Sequence, residues 1–278
     1  MLLGYNTNGL AHHDPLHAIE LLADLGYRSV AITLDHGRLN PFAADFRGEL
    51  STVRGLLARR GMQSVIETGA RFLLDRRVKH EPTLVSADPA GRARRLDFLR
   101  RAVLAARALD SQCVSIWSGI LRDSAGDQEA FDRLTSGLNE LLRFAAEQGV
   151  RIALEPEPGM FIDTQIRWAD LLGRCDHPQL ALTLDIGHLH CQGELPLADQ
   201  IRRWGSRLAN VHIEDMRAGV HEHLMFGEGE IDFPPVIRAL AETGYAGGVH
   251  VELSRHSHDG PQAARKAFDF LAPLMPNG

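Results

Sequence analysis

Short segments in which every second residue is apolar alternate along this chain with longer segments whose apolar residues recur every three or four positions. The first pattern is typical of strands and the second of amphipathic helices. The predicted strands cover residues 2–6, 29–34, 63–67, 112–117, 150–155, 180–185, 208–213 and 248–252. The predicted helices cover residues 14–26, 48–61, 91–109, 127–149, 164–175, 195–204, 233–243 and 260–274. Eight strands alternating with eight helices predict an α/β fold, a closed parallel (β/α)8 TIM barrel that forms a single domain over residues 1–278.

The ends of the helical segments carry residues that commonly begin and end helices. Asp14 is a capping residue followed by Pro15, and Gly26 stands where the same helix is predicted to end. The main alternative architecture is an open, doubly wound sheet. That alternative is weakened because neither a G-x-G-x-x-G nor a G-x-x-x-x-G-K-[ST] motif follows any predicted strand.

The last four predicted strands carry an acidic residue or a histidine at or near their ends, namely Glu155, Asp185, His212 and Glu252. Because side chains alternate across a strand, the apolar neighbours of these residues face the helices and these four face the barrel axis. The carboxyl ends of barrel strands meet at the face where active sites of this architecture lie. Three carboxylates and one imidazole at that face form a ligand set for one hard or borderline divalent cation.

Each of these four residues has a simpler explanation when it is considered alone. Asp185 is placed to cap a helix, His212 could be a hydrogen-bonded core histidine, and Glu252 could be a surface carboxylate. The four together favour a metal site, because burying three carboxylates without a cation is very unfavourable. On ligand hardness Mn²⁺ is the preferred ion and Mg²⁺ the second, and Co²⁺ or Zn²⁺ could also bind.

Five further residues near the same strand ends are candidates for contact with a substrate. His188 lies three residues past a strand-end carboxylate and is assigned to a substrate hydroxyl. Arg217 could hold an oxygen-rich or anionic group, or could be a solvated loop charge. Trp117 could stack on a sugar or fill the barrel mouth. Glu157 is either a substrate contact or a partner of the metal ligands, and His223 belongs to a histidine-rich segment that is also assigned to the substrate.

The composition of the chain and the positions of its cysteines and lysines disfavour several other functions. A net charge of −6 and a pI of about 6.1 argue against a nucleic-acid-binding protein, whose surface is normally basic. Three cysteines without CxxC spacing are typical of reduced thiols in the cytoplasm. No basic leader and no apolar stretch of about 20 residues is evident, so a cytoplasmic protein without a membrane partner is expected. Only Lys79 and Lys266 are lysines, and neither ends a predicted strand, which disfavours a Schiff-base aldolase.

Two predicted loops, at residues 69–90 and 214–232, are longer than connections in this architecture usually are. Both follow strands, so both are expected over the carboxyl-terminal face of the barrel. They are interpreted either as flexible insertions without a function or as functional segments. In the functional case the sequence leaves open whether they are lids or subunit contacts.

Four motifs in the second half of the chain carry a resemblance to a known family: Leu154-Glu155-Pro156-Glu157-Pro158, Leu184-Asp185-Ile186-Gly187-His188, Val211-His212-Ile213-Glu214-Asp215 and Val251-Glu252. In order and spacing they resemble the xylose-isomerase-like TIM-barrel superfamily. That group includes sugar isomerases, ketose 3-epimerases, inosose dehydratases, hydroxypyruvate isomerases and endonuclease IV repair nucleases. The resemblance to the epimerases implies one divalent metal at Glu155, Asp185, His212 and Glu252. It also implies acid and base roles for Glu155 and Glu252, and substrate contacts at His188 and Arg217.

The resemblance to the nucleases is weaker. Endonuclease IV enzymes hold three zinc ions with additional histidines after strands three and four, whereas these strands here end in Ile66-Glu67-Thr68 and Ile116-Trp117-Ser118. An endonuclease IV-type nuclease is therefore disfavoured.

The function expected from the resemblance is a divalent-metal-dependent isomerase or epimerase of a sugar, ketose or polyol. In such an enzyme, carboxylates remove a proton from the substrate and return one to it, and the substrate passes through a metal-stabilised enediolate. The alternatives are a metal-dependent dehydratase or lyase acting on an inosose or keto-glycoside and, less favoured, a non-enzymatic metal-binding scaffold. A small carbohydrate is the expected partner. The oligomeric state is left open, and the resemblance is compatible with a homo-oligomer because relatives are often dimers or tetramers. The sequence leaves open which sugar is bound and which of these reactions occurs.

Overall fold

The computed structural model of the protein describes residues 1–37 and 39–276. The strands are β1 Leu2–Asn6, β2 Ser29–Thr33, β3 Gln63–Glu67, β4 Val114–Trp117, β5 Ile152–Glu155, β6 Leu180–Asp185, β7 Leu208–Ile213, β8 Asp215–Arg217, β9 Val220–Leu224 and β10 Gly248–Val251. The α-helices are α1 Pro15–Leu25, α2 Phe46–Arg60, α3 Pro89–Leu109, α4 Asp127–Gln148, α5 Gln165–Arg174, α6 Ile186–Cys191, α7 Leu197–Trp204, α8 Phe233–Glu242 and α9 Gly260–Leu271. Short 3₁₀ turns cover Thr7–Leu10, Gly205–Arg207, Ser257–Asp259 and Ala272–Leu274.

Eight parallel strands close into one barrel in the order β1-β10-β7-β6-β5-β4-β3-β2. Each of these strands is followed by at least one helix before the next barrel strand, so the predicted single TIM-barrel domain is confirmed. The eight predicted strands correspond to β1–β7 and β10, with bounds that differ by at most two residues. The carboxyl ends of all eight therefore lie at one face of the barrel.

The interior of the barrel is narrow and partly polar. Alternation along the strands sends large apolar residues outward to a continuous core under the helices. A separate buried cluster of smaller side chains lies on the axis side, formed by Ala31, Val65, Cys113, Ala153, Ala181 and Ala209. These smaller residues leave room along the axis for buried polar groups nearer the carboxyl-terminal face.

Helix α1 shows how local sequence sets an element's ends. The Asp14 carboxylate accepts a hydrogen bond from the Leu16 N–H, and Pro15 occupies the first helical position. Gly26 ends the helix with a positive φ of 109°, and its missing side chain also admits the Phe268 ring, because a Cβ there would lie 2.6 Å from it. None of the helices in the described ranges is long and apolar enough to cross a membrane.

The loop after β3 contains no helix or strand before α3 begins at Pro89. It is held by Arg95 of α3, whose side chain is almost fully buried. The guanidinium donates hydrogen bonds to the backbone oxygens of Pro82 (2.8 Å), Thr68 (3.1 Å) and His80 (2.6 Å). It also lies 4.5 Å from the centre of the Trp117 ring. One buried cation thus organises both the loop and an aromatic side chain at the barrel mouth.

The segment at 214–232 is more ordered than the sequence predicted. Strands β8 and β9 form an antiparallel hairpin within it. The buried Asp215 carboxylate accepts hydrogen bonds at 2.8–3.1 Å from four backbone N–H groups, those of Met216, Gly227, Gly229 and Ile231. A further short helix, α6, also follows β6 before the predicted helix at 195–204, here α7.

Candidate metal centre and substrate cavity

Four side chains from four neighbouring barrel strands converge at the carboxyl-terminal face. Glu155 ends β5, Asp185 ends β6, His212 lies in β7 and Glu252 directly follows β10. His212 is paired in register with Asp185 on one side and with His250 on the other. One potential ligand atom from each of the four lies within 4.8 Å of the others. The structure therefore brings together all four predicted ligands.

His212 occupies the middle of this group. Its Nδ1 atom lies 2.8 Å from Glu252 Oε2, 3.0 Å from Glu155 Oε1 and 3.9 Å from Asp185 Oδ2. Asp185 uses Oδ1 to accept a hydrogen bond from the His188 N–H at the start of α6, at 2.7 Å. Its other oxygen, Oδ2, is buried and has no hydrogen-bond partner among the described residues. This unpartnered buried oxygen and the oxygen-rich set of potential ligands around it fit one divalent cation.

The charges in this group change one another's protonation. Burial raises the pKa of Glu155 to about 8, although the nearby His212 opposes the shift. Burial lowers the pKa of His212, but the negative charges of Glu155 and Glu252 outweigh it and hold that pKa well above its usual value. Burial likewise raises the pKa of Glu252, but His212 outweighs it and the net shift is downward. Without a cation, the surrounding carboxylates therefore favour the positively charged form of His212.

His188 and Glu157 lie beside the ligand group. His188 Nδ1 is 3.7 Å from Glu155 Oε1, and its Nε2 is 3.6 Å from Asp185 Oδ2. Burial lowers the pKa of His188 to about 4, so its ring is neutral near pH 7. Glu157 lines the cavity above the group and lies 3.7 Å from the ring of His221. Both are within reach of a molecule bound at the four-residue group.

Trp117 and His223 also line this cavity, as expected of substrate contacts. Trp117 is paired in register with Glu155 and packs edge-on against His80, with ring centres 5.4 Å apart. His223 lies on β9 beside His221, and the potential ligand nitrogens of these two rings and His188 lie within 4.8 Å of one another. The hairpin thus places two imidazoles next to the strand-end ligands.

Arg217 is the exception among the predicted substrate contacts. Its side chain is 50% exposed and pairs with Glu222 at 2.6 Å. Its guanidinium also donates to the backbone oxygen of Glu228 at 3.2 Å, and it is not among the residues lining the cavity. The hairpin turns Arg217 outward, so its position does not support the predicted contact.

The cavity over the ligand group has a volume of about 660 Å³ and is open to solvent. Glu155, His212 and Glu252 lie at its base. Segments following β1, β3, β4, β5, β7 and β10 form the walls. Basic side chains line them, including Arg71, Lys79 and Arg255. The cavity is therefore acidic at its base and carries positive charge on its walls. Its size suits a small polar molecule.

Two residues that line the cavity and contact the ligand group, Glu67 and Asn8, were not predicted as site residues. Glu67 ends β3, and its Oε1 lies 3.0 Å from His212 Nε2. Asn8 follows β1, and its Nδ2 donates to Glu252 Oε1 at 2.7 Å. The signal for Glu67 was present, because it too is an acid at the end of a strand. Asn8 lies in a 3₁₀ turn and has no comparable sequence signal.

Glu214 is a further unpredicted acid beside the cavity. It follows His212 by two residues and is fully buried, and neither carboxylate oxygen has a hydrogen-bond partner in the described ranges. Burial, together with the charges of Asp185 and Glu252, raises its pKa well above the usual value. Gly187 admits this side chain, because a Cβ there would lie 2.0 Å from Glu214 Oε1. Burial among these carboxylates therefore favours the protonated, neutral form of Glu214.

Comparison with known proteins agrees with this geometry. Residues 19–274 match the family described as the xylose isomerase-like TIM barrel. The L-ribulose-5-phosphate 3-epimerase UlaE of Shigella flexneri is 24% identical over 262 residues, which cover 94% of this chain and 89% of the epimerase. The inosose dehydratase of Clostridium beijerinckii is 31% identical over 146 residues, which cover 46% of this chain and 49% of the dehydratase.

The fold is also similar to solved structures. The crystal structure of D-allulose 3-epimerase from Methylomonas sp. in complex with D-allulose superposes with a TM-score of 0.77 at 22% identity. That alignment covers 99% of this chain and 97% of the epimerase. This chain belongs to the xylose isomerase-like TIM barrel family, and its relatives include sugar epimerases and inosose dehydratases.

Proposed function

We propose that this protein is a divalent-metal-dependent isomerase or epimerase of a sugar, ketose or polyol. The observation that carries the proposal is the convergence of Glu155 and Glu252 on His212 Nδ1, at 3.0 and 2.8 Å, at the base of an open cavity. Proton transfer between two faces of a substrate requires two acid–base groups, and two glutamates lie here beside a group of residues that can hold a cation. Mn²⁺ is the preferred ion, and Mg²⁺, Co²⁺ or Zn²⁺ are alternatives.

The cation would be held by Glu155, Asp185, His212 and Glu252. When bound, it supplies Lewis-acid polarisation of a substrate carbonyl. Glu155 and Glu252 belong to strands that are separated in the barrel by β6 and β7, so they approach a bound sugar from different sides. One glutamate removes the proton next to the carbonyl and the other returns a proton. Return to the same carbon from the opposite face gives an epimer. Return to the former carbonyl carbon, with the hydroxyl proton passing from one substrate oxygen to the other, gives an aldose–ketose isomer.

The neighbouring side chains would orient the substrate. His188 is buried and neutral beside the two carboxylates Glu155 and Asp185, so it can donate or accept a hydrogen bond with a substrate hydroxyl. Glu157 and His223 line the same space and add polar contacts. Trp117 presents an aromatic surface on which a sugar ring can stack. Arg217 is left out of this set because it lies outside the cavity.

A metal-dependent dehydratase is the second candidate, favoured by the similarity to inosose dehydratase over about half of the chain. The same first step, proton removal beside a carbonyl, leads to elimination when a hydroxyl on the next carbon leaves. A non-enzymatic metal-binding scaffold is less favoured. A structural metal site is normally closed by protein ligands, whereas three of the four proposed ligands here line an open cavity.

Isotope exchange tests the proposed chemistry. The protein loaded with Mn²⁺ is incubated in D₂O with ketoses, inososes and 3-keto-glycosides, and products are analysed by NMR and mass spectrometry. We expect deuterium at one carbon of a recovered epimer or isomer. Loss of water from the substrate would select the dehydratase instead. Absence of deuterium from every compound would contradict proton-transfer chemistry.

Replacement of Asp185 by asparagine tests the metal centre. The amide removes one negative charge from the group, so we expect cation affinity to fall by more than the roughly 10–100-fold seen when only outer partners of a metal site are changed. Affinity is measured by competition with a fluorescent chelator. The control is Asp176→Asn, which changes an exposed carboxylate paired with Arg207. Equal cation affinity in Asp185→Asn and the control would contradict the assignment.

A further inference from the structure

A continuous chain of buried hydrogen bonds runs along the barrel axis below the ligand group. Ser29 Oγ lies 2.8 Å from His250 Nε2, and His250 Nδ1 lies 2.8 Å from Asn210 Oδ1. Asn210 Nδ2 lies 3.1 Å from Glu67 Oε1, which in turn lies 3.0 Å from His212 Nε2. The chain therefore connects the middle of the barrel to the imidazole at the centre of the candidate metal site.

We propose that this chain keeps a proton on His212 Nε2, so that Nδ1 is the nitrogen that gives up its proton and binds the cation. Glu67 is then a positioning residue that acts through His212, and Ser29, His250 and Asn210 hold Glu67 in place. The inference rests on the proposed function, because it assumes that a cation binds at Nδ1. It adds Ser29, Asn210 and His250, which do not line the cavity, to the determinants of cation affinity.

The direction of each hydrogen bond follows from the carboxylate. An ionised carboxylate only accepts, so Asn210 must turn its Nδ2 amide donor toward Glu67 and its Oδ1 toward His250. Oδ1 also only accepts, so His250 carries its proton on Nδ1. The Nε2 atom of the neutral His250 ring then accepts a hydrogen bond from the Ser29 hydroxyl. Each group in the chain has one orientation that satisfies both of its neighbours.

His212 Nε2 has two close neighbours, one of which favours a bare nitrogen and the other a protonated nitrogen. Asn210 Nδ2, at 3.0 Å, could donate to it, whereas Glu67 Oε1, also at 3.0 Å, requires a proton on it. A bond from the imidazole to the carboxylate is charge-assisted and roughly twice as strong as a neutral one. A deprotonated Nε2 would also place its lone pair against a carboxylate oxygen. The proton therefore stays on Nε2, and Asn210 donates to Glu67 instead.

The surrounding backbone is shaped to hold the chain. Ser29, Asn210 and His250 are completely buried, so water does not replace their contacts. The His250 ring lies against the backbone of its own strand, β10, and of the neighbouring strand, β1, and it fits there because these strands carry glycine at Gly248 and Gly4. A Cβ at Gly4 would lie 2.3 Å from His250 Cδ2, and one at Gly248 would lie 2.3 Å from His250 Cε1. The ring is therefore enclosed from both sides, and its orientation is fixed by packing as well as by hydrogen bonds.

The proposal is tested by replacing the two ends of the chain. Glu67→Gln keeps the size of the side chain but allows an amide N–H to face Nε2, which favours the wrong tautomer. We expect it to weaken Mn²⁺ binding by about 10–100-fold, as measured by chelator competition. Ser29→Ala is expected to weaken binding in the same direction but less. Ser115→Ala is the matched control, because Ser115 is also buried inside the barrel and bonds to Thr183 at 3.0 Å, outside the chain.

A second measurement reads the proton directly. In wild-type protein loaded with Zn²⁺ and labelled with ¹⁵N, we expect the His212 ring to show its proton on Nε2. A proton on Nδ1, or Mn²⁺ affinity that is equal in wild type, Glu67→Gln and Ser29→Ala, would overturn this inference and leave the proposed function standing. Wild-type protein that binds neither ion would instead contradict the proposed function, and this inference with it.

Discussion

Replacement of Glu155 by glutamine is expected to lower kcat by about 10²–10⁴-fold, the usual contribution of a positioned acid or base. Glutamine has nearly the same shape but cannot take up or release the proton. The effect is measured as steady-state turnover, or as deuterium exchange from D₂O, at a cation concentration that saturates the variant. Saturation matters because Glu155 is also a proposed ligand, and a weaker cation site alone would lower activity at limiting metal.

Two comparisons make this result specific. Glu147→Gln changes an exposed carboxylate on α4 and is expected to leave kcat unchanged. Glu252→Gln is expected to cause a loss comparable to that of Glu155→Gln, because the two glutamates share the proton transfer. If Glu155→Gln kept wild-type kcat with the cation bound, Glu155 would have no part in proton transfer.

Replacement of Arg95 by methionine is expected to destabilise the protein and to disturb the cavity wall. Three backbone oxygens of the loop after β3 would lose their donor, and each unsatisfied buried group costs about 1–3 kcal/mol. We therefore expect the free energy of unfolding to fall by about 3 kcal/mol or more. Because Arg95 also contacts Trp117, KM for the substrate is expected to rise more than kcat falls.

Equilibrium unfolding in urea measures the first effect, and steady-state kinetics measures the second. Arg107→Met is the control on the same helix. Arg107 is exposed, and such surface changes usually shift stability by less than about 0.5 kcal/mol. Similar unfolding free energies for the two variants would show that the buried guanidinium does not hold the loop.

The barrel and the four-residue group could be predicted because local and global signals agree. Each strand shows alternation over four to six residues, and helices such as α1 carry caps at both ends. Glu155, Asp185, His212 and Glu252 share a place at strand ends, and a closed parallel barrel brings all such places to one face. The alternation of apolar and polar residues therefore predicted both the fold and the place of the candidate site in it.

The remainder depends on tertiary contacts that have no periodic signal. The hairpin of β8 and β9 was predicted as loop because its strands are polar and short, and a single buried carboxylate, that of Asp215, organises the segment behind it. Arg217 appeared to follow the site in sequence, yet the hairpin turns it outward. Glu67 carried the same strand-end signal as the four ligands, but its contact with His212 joins strands that are far apart in the sequence and could not be predicted from it.

The four hydrogen bonds to Asp215 bear on how molecules reach the base of the barrel. They tie the segment behind β9 to the end of β7, so the side of the mouth carrying His221 and His223 is a fixed wall. In the barrel order, β3 lies across from β7, so we expect ligands to enter between the loop after β3 and the segment after β1. Differences in which molecules are admitted should map to those two segments.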